Sequence, residues 1–260
     1  MIVTTAGRTN LEMIKLAEEI SSDLKAEYKA RKKRSIAKMK EEYNSDVLVV
    51  GQNRLELHEK GNTDPFFFHP NSAMFRLKRL QKRESDPLIF ASDLKEGDRF
   101  LDCTLGLGSD SIIASYAAGE TGMVTAAEAN HLVAYLVEKG LSKWETGMEE
   151  FDKSMRRIQV VGMNHAEYLQ SLDTNSYDVV YFDPMFEEQI DESHGIEHLR
   201  SLSVHQEITE DIIKEAKRVA KKRVVLKNHY KSSAFEKLGF HVYKRKSAKF
   251  HFGVIEIKDS

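Results

Sequence analysis

Arg99-Phe-Leu-Asp-Cys-Thr-Leu-Gly-Leu-Gly-Ser-Asp110 is the stretch from which the fold can be read. A short apolar run ends in Asp102, turns through Gly106 and Gly108, and opens a helical pattern at Ser109. Strand, glycine turn and helix start together make a nucleotide-type cofactor site, because glycine lets the backbone approach a ligand and free N–H groups of the helix N-terminus face it. A dinucleotide fingerprint needs a third glycine three residues after the second, and that position is Ser111. A dehydrogenase is therefore the least favoured enzyme class.

What stands instead is Asp-x-x-x-Gly-x-Gly, the form common in S-adenosylmethionine (SAM) methyltransferases. Met123-Val-Thr-Ala-Ala-Glu128 is a second apolar run closing on an acid suited to ribose hydroxyls. About one βαβα unit later, Tyr177-Asp-Val-Val-Tyr-Phe-Asp-Pro-Met-Phe186 reads as a buried strand ending in Asp-Pro-Met-Phe. This is similar to the Asp-Pro-Pro-Tyr motif of methyltransferases that act on exocyclic amines. Met185 stands for the usual second proline. The two motifs in this order predict an N-methyltransferase using SAM.

The chemistry gives each residue an expected role. Methyl transfer from a sulfonium to nitrogen is an in-line displacement, so alignment supplies much of the rate. A nucleobase amine is a poor nucleophile because its lone pair is delocalised into the ring. The Asp183 carboxylate and the Pro184 carbonyl can accept its two N–H bonds, and Phe186 can stack on the base. For the cofactor, Asp102 would anchor the amino group, with Gly106, Gly108, Ser109 and Asp110 at the methionine end. Glu128 with Ala129 would take the ribose, and Asn164 and His165 follow the third strand, where adenine is expected. His165 reads equally as a surface histidine, and Lys227 as a phosphate contact or a solvated strand end. Cytosine C5 methylation needs a cysteine nucleophile, and the one cysteine, Cys103, sits in the cofactor turn.

Composition agrees with a globular protein. The 260 residues are 41% hydrophobic and 31% charged, and 39 Lys+Arg against 41 Asp+Glu leave a net charge of −2. A nucleic-acid partner would then be met by a local basic patch. No run approaches the roughly 18 apolar residues of a membrane span, no signal-peptide pattern opens the chain, and no metal site is expected. A cytoplasmic setting follows, and the oligomeric state is left open.

Residues 1–95 read as a small N-terminal α/β module suited to substrate binding, and 96–260 as the cofactor domain. Ile2-Val-Thr suggests a short strand. Asn10 can cap a helix with Leu11, Ile14, Leu16, Ala17, Ile20 and Leu24 at helical spacing, continuing to Lys40. Arg31, Arg34 and Lys38 would then share a face, either a phosphate-binding stripe or a solvated one. Asp46–Gly51 and Arg54–His58 read as a hairpin around Gly51-Gln-Asn53. Phe66-Phe-Phe-His69, with Asn71 and Arg76, is either a pocket wall with a polar edge or core with a structural histidine. A basic helix follows, with Arg76, Arg79 and Arg83 on one face as an RNA-facing surface.

From Phe100 strands alternate with helices, which predicts a mostly parallel, Rossmann-like sheet with right-handed crossovers. Strands are expected near 100–105, 122–128, 158–163, 177–183 and 223–228. Helices are expected near 109–118, 131–142, 166–172, 206–221 and 232–238. The tail, His241–Arg245 and Phe250–Lys258, gives two tightly joined and hence antiparallel strands. The whole is the α/β class I methyltransferase architecture.

Over residues 97–230 the chain resembles the small-subunit ribosomal RNA guanine-N2 methyltransferases related to methyltransferase J of 16S rRNA, as a divergent member. Asp102-Cys-Thr-Leu-Gly-Leu-Gly-Ser-Asp110 is similar to that family's Asp-Ala-Thr-Ala-Gly-Leu-Gly-Arg-Asp, and Glu128-Ala-Asn130 to its Glu-Arg-Asn. Val179-Val-Tyr-Phe-Asp-Pro-Met-Phe186 resembles Val-Val-Tyr-Leu-Asp-Pro-Met-Phe, methionine included, and Arg223-Val-Val-Leu-Lys227 resembles Arg-Val-Val-Val-Lys. The resemblance implies SAM contacts at Ser109, Asp110, Glu128, Ala129, the 164–166 turn and Asp183, with a guanine amine in RNA as acceptor. Ser109 departs from the family's arginine, and an acidic Glu187–His194 segment from its basic one. Other acceptors (DNA, protein or a small molecule) are the alternative, as is a non-catalytic SAM-binding RNA or assembly factor.

Overall fold

The structure is a computed structural model that describes residues 1–184, 202, 207–246 and 248–258. It divides into two compact units. Among the described residues, the first holds Met1–His69 and Leu202, and the second holds 70–184, 207–246 and 248–258.

In the first unit, β1 (Ile2–Thr5), α1 (Leu11–Asp23), β2 (Glu27–Tyr28), α2 (Ile36–Tyr43), β3 (Val47–Val50) and β4 (Leu55–His58) build a four-stranded sheet in the order β2-β1-β3-β4. The β3–β4 hairpin forms where the sequence places it, with Val50 opposite Leu55. Asn10 caps α1 by accepting the Met13 N–H at 2.8 Å, and Met13, Ala17 and Ile20 face the sheet. The expected continuation of α1 to Lys40 does not occur. The helix stops at Asp23, Lys25 takes a φ of 50°, and a fresh cap at Ser35 starts α2.

The stripe of Arg31, Arg34 and Lys38 fails with it. Arg34 donates to Glu42 Oε1 and Tyr43 Oη, both at 2.8 Å, and Arg31 donates to the Arg34 carbonyl at 3.0 Å. These guanidiniums fasten a loop. Of the three phenylalanines, Phe66 and Phe68 are core, and Phe67 lies under the Arg54 guanidinium at 3.9 Å.

In the second unit come α3 (Asn71–Gln81), α4 (Pro87–Ser92), β5 (Arg99–Asp102), α5 (Ser109–Ala118), β6 (Met123–Ala127), α6 (His131–Lys143) and α7 (Glu149–Arg156). They are followed by β7 (Ile158–Val161), α8 (His165–Ser171), β8 (Tyr177–Phe182), α9 (Glu210–Val219), β9 (Ala220–His229), α10 (Ala234–Lys237), β10 (His241–Tyr243) and β11 (Phe250–Glu256). The seven-stranded sheet runs β10-β11-β9-β8-β5-β6-β7. Strands β5 to β9 are parallel, and β11 inserts antiparallel between β9 and β10. This is the mostly parallel α/β sheet the sequence predicts, with its antiparallel C-terminal strands.

Residues 70–92 belong to this unit rather than to the first, so the structural division falls at His69. Asp86 starts α4 by accepting from the Leu88 and Ile89 N–H groups. Gly253 is required for packing: a Cβ there would stand 2.6 Å from the Phe235 ring of α10. Among the described residues, no helix is long and apolar enough to cross a membrane.

Candidate active site

The sheet order reverses at β5, which lies between β8 and β6, and the crevice at the carboxyl ends of these strands is where such folds bind ligands. Asp102 ends β5 and is buried. Its Oδ1 accepts from the Thr104 N–H at 2.9 Å and the Thr104 hydroxyl at 3.3 Å, and its Oδ2 from the Ser111 hydroxyl at 2.6 Å. Burial outweighs these donors and pushes the Asp102 carboxyl up to about 7.

Beyond it the chain turns through Gly106 and Gly108, with φ of 49° and 73°, both in the left-handed region that favours glycine. The Gly106 N–H donates to Glu128 Oε2 at 3.2 Å, and Glu128 Oε1 accepts the Asn130 N–H at 3.0 Å. The acid at the end of β6 is thereby held beside the glycine turn. Burial raises its carboxyl above the ordinary range.

Thr104 joins the two motifs. Its Oγ1 accepts the Asp183 backbone N–H at 2.7 Å while its own donors go to Asp102. Asp183 Oδ2 accepts from Lys227 Nζ at 2.6 Å, whereas its Oδ1 is buried with no partner. Lys227 Nζ also lies 3.4 Å from Asp110 Oδ2, which accepts the Tyr181 hydroxyl at 2.8 Å. Asp110 Oδ1 pairs with Arg76, whose other nitrogens grip Asp86 at 2.8 Å each.

The result is a line of alternating charge: Asp183, Lys227, Asp110, Arg76, Asp86. Burial, opposed by Lys227 and reinforced by Asp110, leaves the Asp183 carboxyl raised to about 6. Asp110 goes the other way: burial is outweighed by the Lys227 and Arg76 charges, which hold it well below the carboxylate range. Lys227 is itself raised above its ordinary value, burial notwithstanding, by Asp110 and Asp183.

The sequence therefore brings Asp102, Gly106, Gly108, Ser109, Asp110, Glu128, Ala129, Asp183 and Pro184 to the ends of β5, β6 and β8. Asn164 caps α8 by accepting the Ala166 N–H at 2.8 Å. His165 is buried rather than on the surface, edge-on to Phe182 at 5.7 Å with Nε2 unpartnered, and burial lowers it to about 4.

Two readings need correction. Lys227 and Arg76 are not free for an external phosphate, because both are committed to carboxylates inside the unit. The expected basic face of Arg76, Arg79 and Arg83 also breaks up. Arg76 turns inward, Arg79 pairs with Glu84 at 2.7 Å, and Arg83 lies past the helix with a φ of 63°. Asn71 opens the same helix, and His69, with Nδ1 buried and unpartnered, belongs to the first unit. Phe186, Met185 and the acidic segment lie outside the described residues. Thr104, Ser111 and Tyr181 escaped the sequence reading; Ser111, in place of a third glycine, carried a signal.

The residues present fit SAM. Acidic side chains (Asp102, Asp110, Asp183 and Glu128) outnumber Arg76 and Lys227, which suits a ligand carrying an ammonium and a sulfonium. Buried polar atoms with no partner at Asp183 Oδ1 and His165 Nε2 leave hydrogen-bonding capacity there. Among the described residues, no group of three or more His, Cys, Asp or Glu is placed to hold a metal ion.

Comparison with known proteins agrees. The family described as "Putative SAM-dependent methyltransferase" matches residues 30–254. The chain is 51% identical over 255 residues to "Uncharacterized protein YpiP" of Bacillus subtilis, covering 98% of this chain and 99% of that one. It is 30% identical over 167 residues to the ribosomal RNA small subunit methyltransferase J of Acinetobacter baumannii, a match spanning 58% of this chain and 57% of that one. Among solved structures, the SAM-dependent methyltransferase NGO1261 of Neisseria gonorrhoeae has the same fold, with a TM-score of 0.65 at 18% identity over 100% of this chain and 97% of that one.

Proposed function

This chain belongs to the SAM-dependent methyltransferase family, and we propose that its methyl acceptor is the exocyclic amine of guanine in ribosomal RNA. The enzyme class and the cofactor follow from the family; the acceptor is our reading. The observation that carries it is the unpartnered, buried Oδ1 of Asp183 beside Pro184. Lys227 occupies Oδ2, so one carboxylate oxygen and the Pro184 carbonyl are left for two N–H bonds of an amine. The relatives named as small-subunit ribosomal RNA methyltransferases favour a ribosomal RNA acceptor, and the motif resemblance to guanine-N2 methyltransferases implies guanine.

SAM, when bound, supplies a methyl group on positively charged sulfur. Asp102 would hold the amino group, the turn from Gly106 to Asp110 the methionine end, Glu128 with Ala129 the ribose, and Asn164 with His165 the adenine. Asp183 Oδ1 and the Pro184 carbonyl fix the acceptor amine with its lone pair out of the ring plane, and Asp183 receives the proton lost after transfer. Lys227 stays charged and keeps Oδ2 occupied, which aims Oδ1 at the acceptor. By the motif it completes, Phe186 would stack on the base. All of these residues lie in the sequence span 96–260.

The reading is tested by offering labelled-methyl SAM with small-subunit ribosomal RNA from cells lacking this chain, and separately with DNA, protein and small amines. Label is expected in the RNA. Label in protein or DNA with none in RNA contradicts the reading.

A further inference from the structure

We propose that the end of the β9–β11 pair where β9 finishes and β11 begins is the landing surface for a single-stranded RNA segment flanking the target base. This rests on the RNA reading above and gives it a location. In the antiparallel pair, Phe252 stands opposite Lys227 and Phe250 opposite His229. Opposed residues share a face of the sheet, and residues two apart along a strand share it too.

Lys227, His229, Phe250 and Phe252 therefore share one face, and ring contacts continue from it past the end of β9. Lys227 Nζ, 2.6 Å from Asp183, lies 5.7 Å from the Phe250 ring centre. Phe250 is 6.4 Å from His229, His229 is 4.6 Å from Tyr230, and Tyr230 is 6.1 Å from His251. Tyr230 in this series has 49% of its surface exposed.

Beside these rings runs Lys244-Arg-Lys246, with Lys249 and Lys231. All five cations are exposed, and none is in an ion pair with a described residue. From Phe240 to Ile255 the sequence contains no acidic residue. The loop is held in place, because the Tyr230 N–H donates to the Lys249 carbonyl at 3.0 Å.

Aromatic rings interleaved with unpaired cations are what a flexible, stacked, polyanionic strand requires. Bases stack on the rings with little regard to sequence, and the cations follow the phosphates. A folded acidic protein would use the cations but gain little from a graded row of rings. The row also leads to Asp183, so a strand stacked along it delivers its next base toward the reacting oxygen.

The test uses the full chain with the demethylated product of SAM present. Its probe is a fluorescein-labelled RNA strand of about 12 nucleotides containing one guanine. The first variant replaces Lys244, Arg245, Lys246 and Lys249 by alanine. Its affinity should fall at least about tenfold at low salt, and the slope of log K against log salt should fall by about 3, since each contact on a single strand contributes about 0.7. Tyr230→Ala should weaken binding about 5- to 100-fold, and Tyr230→Phe should restore it, as expected for stacking. Calorimetric binding of the SAM product should stay as in the wild type for every variant, which excludes misfolding.

Wild-type RNA binding that the loop variant leaves unchanged in affinity and slope overturns the proposal and leaves the acceptor reading intact. Loss in the loop variant with no effect of Tyr230→Ala overturns the stacking row. Absence of wild-type RNA binding at low salt sinks the RNA reading itself, and this surface with it.

Discussion

In the mechanism we propose the chemistry turns on Asp183, and its environment sets the pH at which it can act. It must be ionised at Oδ1 to accept an amine N–H, and its carboxyl is raised to about 6 by burial and Asp110 against the pull of Lys227. Transfer should therefore climb as pH rises through about 6 and level off above it, in a single-turnover pH profile. Asp183→Asn keeps the shape and removes the acceptor charge; we expect transfer to fall at least about 100-fold with SAM affinity within about tenfold. Lys227→Met removes the cation that lowers Asp183, so the rising limb should move to higher pH. The same change leaves Asp110 and Asp183 without their shared partner, and should lower stability by about 2–4 kcal/mol in urea titration. Asp102 offers a different outcome. Asp102 and Asp183 both hold protons more tightly folded than unfolded, where the ordinary value is 3.8. At these two groups the folded state binds more protons between about pH 4 and 7, so their contribution to stability falls as pH rises through that window, while buried His165, lowered to about 4, contributes in the opposite sense. Asp102→Asn should flatten this fall in melts from about pH 5 to 8, while weakening SAM binding.

At the scale of elements, the turn between β5 and α5 makes the site. Gly108 has a φ of 73°, and a Cβ there would stand 3.4 Å from Leu105 Cδ1. Gly108→Ala should cost about 1 kcal/mol of stability in chemical denaturation, with a larger loss of SAM affinity because the turn must shift. This turn was legible in the sequence because glycine spacing, a strand-end acid and a helix start are all local signals. So were β6, β8 and the β3–β4 hairpin. What was not legible depended on long-range partners. Arg76 reads as one of three basic residues on a helix, yet Asp86 and Asp110, 10 and 34 residues away, draw it inward. Lys227 reads as a strand end, and only the β8–β9 pairing shows that it reaches Asp183. Helix α7 was missed because Phe151 and Met155 are its only buried apolar side chains and no side chain caps it. The long α1 was over-read because Lys and Arg favour helices, whereas the parallel β1–β2 pairing claims Glu27 and Tyr28.

For the whole molecule, the proposed cofactor and amine contacts fall on one side of the division at His69, and the seven-stranded sheet carries them. Binding of SAM to the folded state alone should raise the melting temperature in a dose-dependent way, by the equivalent of about 2.7 kcal/mol at a hundredfold excess over Kd. The same melts in the Gly108→Ala chain should show a smaller rise. Nucleoside analysis identifies the methylated product itself. Small-subunit ribosomal RNA from cells lacking this chain is incubated with enzyme and labelled-methyl SAM, digested to nucleosides and separated. Label is expected in N2-methylguanosine and is absent when Asp183→Asn replaces the wild type. Label in any other nucleoside, or the same label with the variant, would contradict this mechanism.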